Sequence, residues 1–277
     1  MRPCPLAALL LLLPFTALAA QIPAPSAFPA PPKPAVAVPL PAPKAVKPKS
    51  ATTIRGLVEP HLALSPQPDA PVRIALTFDA CSGKTDMRIL DTLIENRIPA
   101  TIFATARWLK RNPQTVAILK ANPDLFEVEN HGAMHVPAVD KPGAVYGIPA
   151  AGSPEAVAAE VKGGADALAA AGFPTLRWFR GATARYTPSA MEEIGSLGYR
   201  VAGFSLNGDE GATVSAATAE KRLASARDGA VVIAHINQPD RAAGAGIAKG
   251  ILELKARGVT FVRLVDAAEE AGARTGH

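Results

Sequence analysis

Cysteine is almost absent from this chain: Cys4 and Cys81 are the only two among 277 residues. A small fold stapled by disulfides is thereby excluded, because Cys4 sits in a segment that reads as a removable leader. Aromatic residues are scarce too, at 5%, so platforms for stacking sugar rings are few. Trp108 and Trp178 are the candidates, the second inside a strand-like run. Acidic residues are missing from residues 1–50, where Arg2, Lys33, Lys44, Lys47 and Lys49 supply five positive charges. From residue 51 onward 24 basic residues face 24 acidic ones, so the net charge of +5 belongs to the first fifty residues. A phosphate-reading surface has no support, and no nucleic-acid partner is expected. The hydrophobic fraction of 48% excludes wholesale disorder.

The opening residues look like an address. Arg2, the apolar run Leu6–Leu13 and the small-residue site Ala17-Leu18-Ala19 predict a secretory leader over 1–19. That run is shorter than the roughly 20 residues a membrane-spanning helix needs, so no stable membrane span is expected once the leader is cut. An uncleaved anchor is the alternative reading. The mature protein is expected to be exported, to a periplasmic or extracellular space. Ten prolines within residues 21–50 predict an extended, core-less tether. It continues through a transitional stretch to give a linker over 20–70. Its lysines either contact an anionic wall or membrane surface or simply keep the tether soluble.

A folded domain is expected over 71–277. Buried strands are predicted at Arg73–Asp79, Ala100–Thr105, Leu125–Asn130, Trp178–Arg180, Tyr199–Leu206, Ala230–His235 and Thr260–Val265. Helical patterns fall between them, over 86–96, 109–121, 153–171, 188–197, 216–227 and 241–257. Regular alternation over about 200 residues implies an α/β fold with a parallel sheet and outer helices. Seven units suit a closed or nearly closed barrel.

In such barrels, chemistry gathers where strands end at their carboxyl side. Asp79 ends the first predicted strand, His131 and His135 follow the third, and Arg180 ends the fourth. Asn207 and Asp209 follow the fifth, and His235 ends the sixth. Singly, each has a bland explanation: an Asp after a strand caps or turns, and a His beside an apolar strand is structural. Five strand ends carrying Asp, His, Arg and Asp together are not covered by it. Two imidazoles four residues apart, on one face of a helical turn, can hold a divalent metal with positions left for water and substrate. Asp79 can take a proton from that water and His235 can protonate a leaving amine. Arg180 can keep Asp79 ionised, and Asp209 can fix the tautomer of His235.

These residues resemble the polysaccharide deacetylase family with the NodB-homology fold, also called carbohydrate esterase family 4. Leu76-Thr77-Phe78-Asp79-Ala80 is similar to its first motif, and Asn130-His131-Gly132-Ala133-Met134-His135 to its second. Arg177-Trp178-Phe179-Arg180-Gly181, Asn207-Gly208-Asp209 and Ile233-Ala234-His235 follow in the family's order. The resemblance implies a distorted (β/α)7 barrel that removes N-acetyl groups from an amino-sugar polysaccharide. It implies Asp79 as base, His235 as acid, Arg180 and Asp209 as their partners, and His131 and His135 as ligands of a divalent metal, Zn²⁺ by preference. An N-acetylated glycan is the implied partner.

Two departures stand out. Ala80 replaces the family's usual Asp ligand, which predicts a weak or unusual metal site. Asp79, water or the Cys81 thiolate are the candidates to complete it, and a metal-free site is the remaining option. Gly181 stands where the third motif has Pro, with Tyr186 the only nearby Tyr. Backbone N–H groups near Gly181 and Ala182 are expected to help form an oxyanion site. The segment Val136–Gly152, with Tyr146, either lines the groove or is an ordinary loop. Rival readings are a catalytically weak glycan-binding domain, and a metal-independent hydrolase of another C–N amide.

Overall fold

A computed structural model describes residues 52–65, 67 and 71–267. The expected leader and the proline-rich stretch up to residue 51 lie outside the described residues. No helix among the described residues is long and apolar enough to cross a membrane.

The core is a curled, parallel sheet. Its strands β1 (Arg73–Ala80), β2 (Ala100–Ala104), β3 (Phe126–Asn130), β6 (Trp178–Phe179), β7 (Arg200–Val201), β8 (Leu206–Asn207) and β9 (Val231–His235) run in the order β7-β6-β3-β2-β1-β9-β8, and β10 (Thr260–Val262) joins off this path. β10 pairs with the first residues of β1, Arg73–Ala75, while β2 pairs with its last, Thr77–Ala80. Two further strands, β4 (Ala144–Val145) and β5 (Ile148–Pro149), form a separate antiparallel hairpin.

Strand alternation sorts the side chains. Ile74, Leu76, Phe78 and Ala80 face outward. They pack with Ile89, Leu90 and Leu93 of α1 (Met87–Glu95), and with Ile247, Ile251 and Leu254 of α7 (Ala243–Ala256). Ala75, Phe103, Trp178, Val231 and Val262 face inward, and Leu64 and Leu264 pack with them. Four further helices begin on a side-chain cap that accepts a backbone N–H, as α1 does on Asp86. Thr105 caps α2 (Ala106–Arg111) and Ser153 caps α4 (Pro154–Ala171). Thr187 caps α5 (Pro188–Ser196) and Ser215 caps α6 (Ala216–Ala224).

Three expectations change. The single helix over 109–121 is two, α2 and α3 (Pro113–Ala121). Pro113 starts a new first turn, and the Asn112 side chain leaves the helical line to bond Thr85 N and Gly83 O, both at 3.0 Å.

The fifth strand is split. Arg200–Val201 pair with β6 and Leu206–Asn207 pair with β9. Between them the chain kinks at Gly203, where the Pro60 carbonyl lies so close that a Cβ would meet it at 2.0 Å.

That carbonyl belongs to the third change. The transitional residues 52–65 are laid onto the domain through isolated bridges, Val58 with Tyr186, His61 with Phe204 and Ala63 with Ala230. Leu64 is buried at their end. Extended backbone of this kind satisfies a kinked strand edge without any periodic pattern in sequence. The domain's contacts therefore begin at residue 52 rather than 71.

Candidate active site

At the carboxyl end of the sheet, β1 and β9 set Asp79 and His235 side by side in register. Asp79 is almost wholly buried, and its Oδ1 accepts from Arg180 Nη1 at 3.1 Å. Arg180 is itself completely buried. It also donates to Thr77 Oγ1 (2.8 Å), Ala202 O (3.3 Å) and Gly203 O (2.9 Å), and its guanidinium lies 4.3 Å from the centroid of the Phe103 ring. The kink in the fifth strand thus supplies two carbonyls that a buried cation needs. Burial pushes the Asp79 carboxyl up, but His131, Arg180 and His235 outweigh it and hold it below the usual range.

His235 is clamped by Asp209, whose Oδ2 accepts from its backbone N at 2.7 Å and whose Oδ1 lies 2.9 Å from Nδ1. Burial pushes this imidazole down, yet the Asp209 carboxylate, with a smaller contribution from Cys81, raises it well above its ordinary value. One carboxylate favours the ionised state and one imidazole the charged state, a few ångströms apart at one mouth.

The His131–His135 pair does not lie on a helical turn. It lies on a loop, with Gly132 and His135 at φ +87° and +61°. The loop is pinned by neighbours. Asn130 Oδ1 accepts from Gly132 N at 2.8 Å, and its Nδ2 donates to Val161 O at 2.9 Å. The Glu160 carboxylate of α4 accepts from Met134 N and Val136 N at 2.9–3.1 Å. A side chain at 132 would strike Glu160 Oε1, its Cβ at 2.4 Å, so glycine is required there. The two rings are 5.1 Å apart between centroids. His131 Nδ1 bonds the Arg180 carbonyl, which leaves Nε2 facing Cys81 Sγ at 3.5 Å and Asp79 Oδ2 at 3.8 Å.

Cys81, His131 and His135 bring one ligand atom each within 4.8 Å of one another. A thiol and two imidazoles so placed fit a divalent transition ion. Burial pushes the Cys81 thiol up, but the imidazoles of His131, His135 and His235 hold it well below its usual range. Ala80, expected to leave a hole in the ligand set, points instead into the buried layer between sheet and helices. The residue that turns into the mouth is its neighbour. Oxyanion donation by Gly181 is also corrected: its N–H donates to Tyr186 Oη at 2.7 Å.

The mouth opens into a cleft of about 580 Å³ lined by Asp79, His135, His235, Thr183, Phe204 and Tyr146 among others. Trp108 and Trp178 are buried, so neither offers a stacking face there. Tyr146, at the tip of the β4–β5 hairpin, is 69% exposed and stands over Arg185. The segment Val136–Gly152 therefore does line the groove. Glu59, from the segment expected to be linker, also lines it and pairs with Arg185 at 3.0 Å. Thr77 and Asn130 were visible only as members of the first and second motifs, with no role of their own, and Glu160 had no signal as a single polar residue in a helix. Cys81, two positions after Asp79, was visible as one of three candidates to complete the metal site.

Comparison with known proteins adds the following. A sequence-family model described as polysaccharide deacetylase matches residues 67–202. Among solved structures, the peptidoglycan deacetylase PdaC from Bacillus subtilis is 19% identical, over 74% of this chain and 94% of that one, with a TM-score of 0.59. The Xyl-CE4 domain of a multidomain xylanase from the hindgut metagenome of Trinervitermes trinervoides is 21% identical (73% and 92% covered, TM-score 0.60). BA3943 from Bacillus anthracis, described as a CE4 family pseudoenzyme, is 18% identical (73% and 66% covered, TM-score 0.56). A search of curated proteins returned no match. At these identities the structures establish a shared fold.

Proposed function

With residues 67–202 a member of the polysaccharide deacetylase family, we propose that this chain is an exported hydrolase. It would remove N-acetyl groups from an amino-sugar polysaccharide of the cell envelope or extracellular matrix. The observation that carries this reading is the pairing of Asp79 and His235. They are register neighbours in one cleft, with the carboxyl pushed down and the imidazole pushed up. Groups whose environments separate their proton affinities in this way are suited to work as base and acid.

In this mechanism Asp79 accepts the proton of the attacking water through Oδ2, while Oδ1 stays on Arg180. His235 donates its Nε2 proton to the amine nitrogen as the acyl C–N bond breaks. Its Nδ1–H stays on the ring and donates to Asp209 Oδ1, which keeps the imidazole oriented and favours its charged form. His131 and His135 would hold a divalent metal, which when bound supplies Lewis-acid polarisation of the acyl oxygen and a more acidic water. Arg180, desolvated and hydrogen-bonded through all three of its nitrogens, keeps the base in place without offering a proton.

Export rests on the leader-like residues 1–19 and the proline-rich stretch after them. In this reading the linker lysines either contact an anionic wall or membrane surface or keep the tether soluble. The test is acetate release from chitin oligomers and from peptidoglycan, measured before and after chelation. Release that chelation abolishes supports the reading, and a protein that never releases acetate from any acetylated glycan defeats it. A second reading, glycan binding without turnover, is favoured by the pseudoenzyme among the similar structures. It predicts measurable glycan affinity with no acetate. Release that survives chelation would instead indicate a metal-independent amidohydrolase.

A further inference from the structure

We infer that Cys81, not a carboxylate, completes the metal site, so that the ion is held by one thiolate and two imidazoles. The inference deepens the reading above and depends on it only for the presence of a metal.

Cys81, His131 and His135 are the only group of three such ligands found among the described residues. The position just before Cys81 cannot supply a ligand. Ala80 is the last residue of β1, fully buried, and its side chain lies in the outer layer with Leu90, Ala104 and Trp108. A carboxylate there would enter the hydrophobic core rather than the mouth. Asp79 is poorly placed as well. Arg180 occupies its Oδ1, and the Oδ2 that remains, 3.8 Å from His131 Nε2, is the one assigned to proton transfer.

The sulfur, in contrast, is held by a built support. Thr105 Oγ1 donates to the Cys81 carbonyl. Buried Asn237 takes up the turn that follows. In the orientation that satisfies its neighbours, its amide oxygen accepts from Ser82 N (3.2 Å) and Gly83 N (3.3 Å), and its nitrogen donates to Asp79 O (3.1 Å). Gly83 is the residue this turn requires, since a Cβ would lie 2.0 Å from the Asn237 carbonyl oxygen. Opposite the sulfur, buried His131 spends Nδ1 on the Arg180 carbonyl and aims Nε2 at Sγ. A ring fixed through its far nitrogen is the usual support of a ligating imidazole.

Binding would displace the thiol proton to solvent as the sulfur–metal bond forms, with no change of oxidation state. A thiolate with two imidazoles prefers thiophilic ions such as Zn²⁺ and Co²⁺ and discriminates against Mg²⁺, Ca²⁺ and Mn²⁺, which seek oxygen ligands.

The experiment uses the full mature chain, stripped of metal and titrated with Co²⁺. A near-ultraviolet thiolate-to-cobalt charge-transfer band should appear with one equivalent. Cys81→Ser should lose the band and weaken Zn²⁺ binding by about 100-fold or more. Cys81→Asp, a harder ligand in the same place, should lose the band but bind better than Cys81→Ser. Circular dichroism of each variant checks that it is folded. Cobalt uptake without the band, no uptake at all, or unchanged Zn²⁺ affinity in folded Cys81→Ser would each overturn the inference. The two readings fail separately. A thiolate band in a protein that releases no acetate keeps the site and defeats the activity. Chelator-sensitive acetate release without the band does the reverse.

Discussion

Asp209 grips His235 with both carboxylate oxygens, Oδ2 on the backbone N at 2.7 Å and Oδ1 on the ring Nδ1 at 2.9 Å. One side chain therefore fixes both the strand end and the ring it presents. An asparagine cannot accept twice in this geometry, because one of its two terminal atoms is a donor. Asp209→Asn should lower kcat by roughly 10²–10⁴-fold. It should also shift the basic limb of the pH–rate profile to lower pH. The sign follows from the acid's role: His235 must be protonated, and the carboxylate is what raises its proton affinity. A pH–rate profile of the variant with an unmoved basic limb would leave Asp209 purely structural.

The register neighbours Asp79 and His235 should be needed together. Asp79→Asn and His235→Ala are each expected to reduce acetate release by about 10²-fold or more, with circular dichroism checking that each variant is folded. The double variant should lose no more than the worse single one, as groups acting in one step do. Near-full activity in either single variant on a proven substrate would remove that residue from the mechanism.

Ala80 makes a prediction about stability rather than affinity. Restoring the family's Asp at this position places a carboxylate in the fully buried layer beneath α1. Ala80→Asp should cost about 3–5 kcal/mol, seen as a large fall in Tm, and should not strengthen Zn²⁺ binding. A variant of unchanged Tm that binds metal more tightly would show that residue 80 reaches the mouth.

Glu127 and Glu129 stand two positions apart on the same inward face of β3, paired in register with Thr101 and Phe103 of β2. Burial, and then the neighbouring Glu127 carboxylate, push Glu129 up to about 8, although the Arg177 and Trp178 amides donate to it. Its folded-state affinity for a proton thus exceeds its unfolded-state affinity, near 4.5. The unfolded chain releases this proton first as pH rises. The contribution to stability is therefore fully present below about 4.5 and is lost progressively toward about 8. Glu129→Gln keeps an oxygen for the two amides and carries no charge. Denaturant titrations between these pH values should show a flatter stability profile for Glu129→Gln than for the wild type. Parallel profiles would mean that Glu129 is ionised in the folded protein.

Much of the scaffold was readable in local pattern. The buried strands at 73–80, 100–104, 126–130 and 231–235 carry unbroken apolar or alternating runs, and α4 and α5 start at Ser-Pro and Thr-Pro. Both signals depend on a residue and its near neighbours only. The polar residues at the strand ends were visible for the same reason, and the structure gathers Asp79, Arg180, His131, His135, Asp209 and His235 around one mouth.

By itself, then, the sequence determined which segments could be strands and helices and which polar residues would stand at the strand ends, because backbone periodicity is a local property. Only the tertiary structure decided that Cys81 and not Ala80 turns into the mouth, since that depends on where β1 stops and on how Thr105 and Asn237 hold the next turn. Only it decided that the fifth strand breaks at Gly203, that Arg180 takes the carbonyls the break exposes, and that residues 52–65 cover the edge. These features join residues more than twenty positions apart. Their energies come from desolvated donors finding acceptors across the fold, and no period in the chain encodes that pairing.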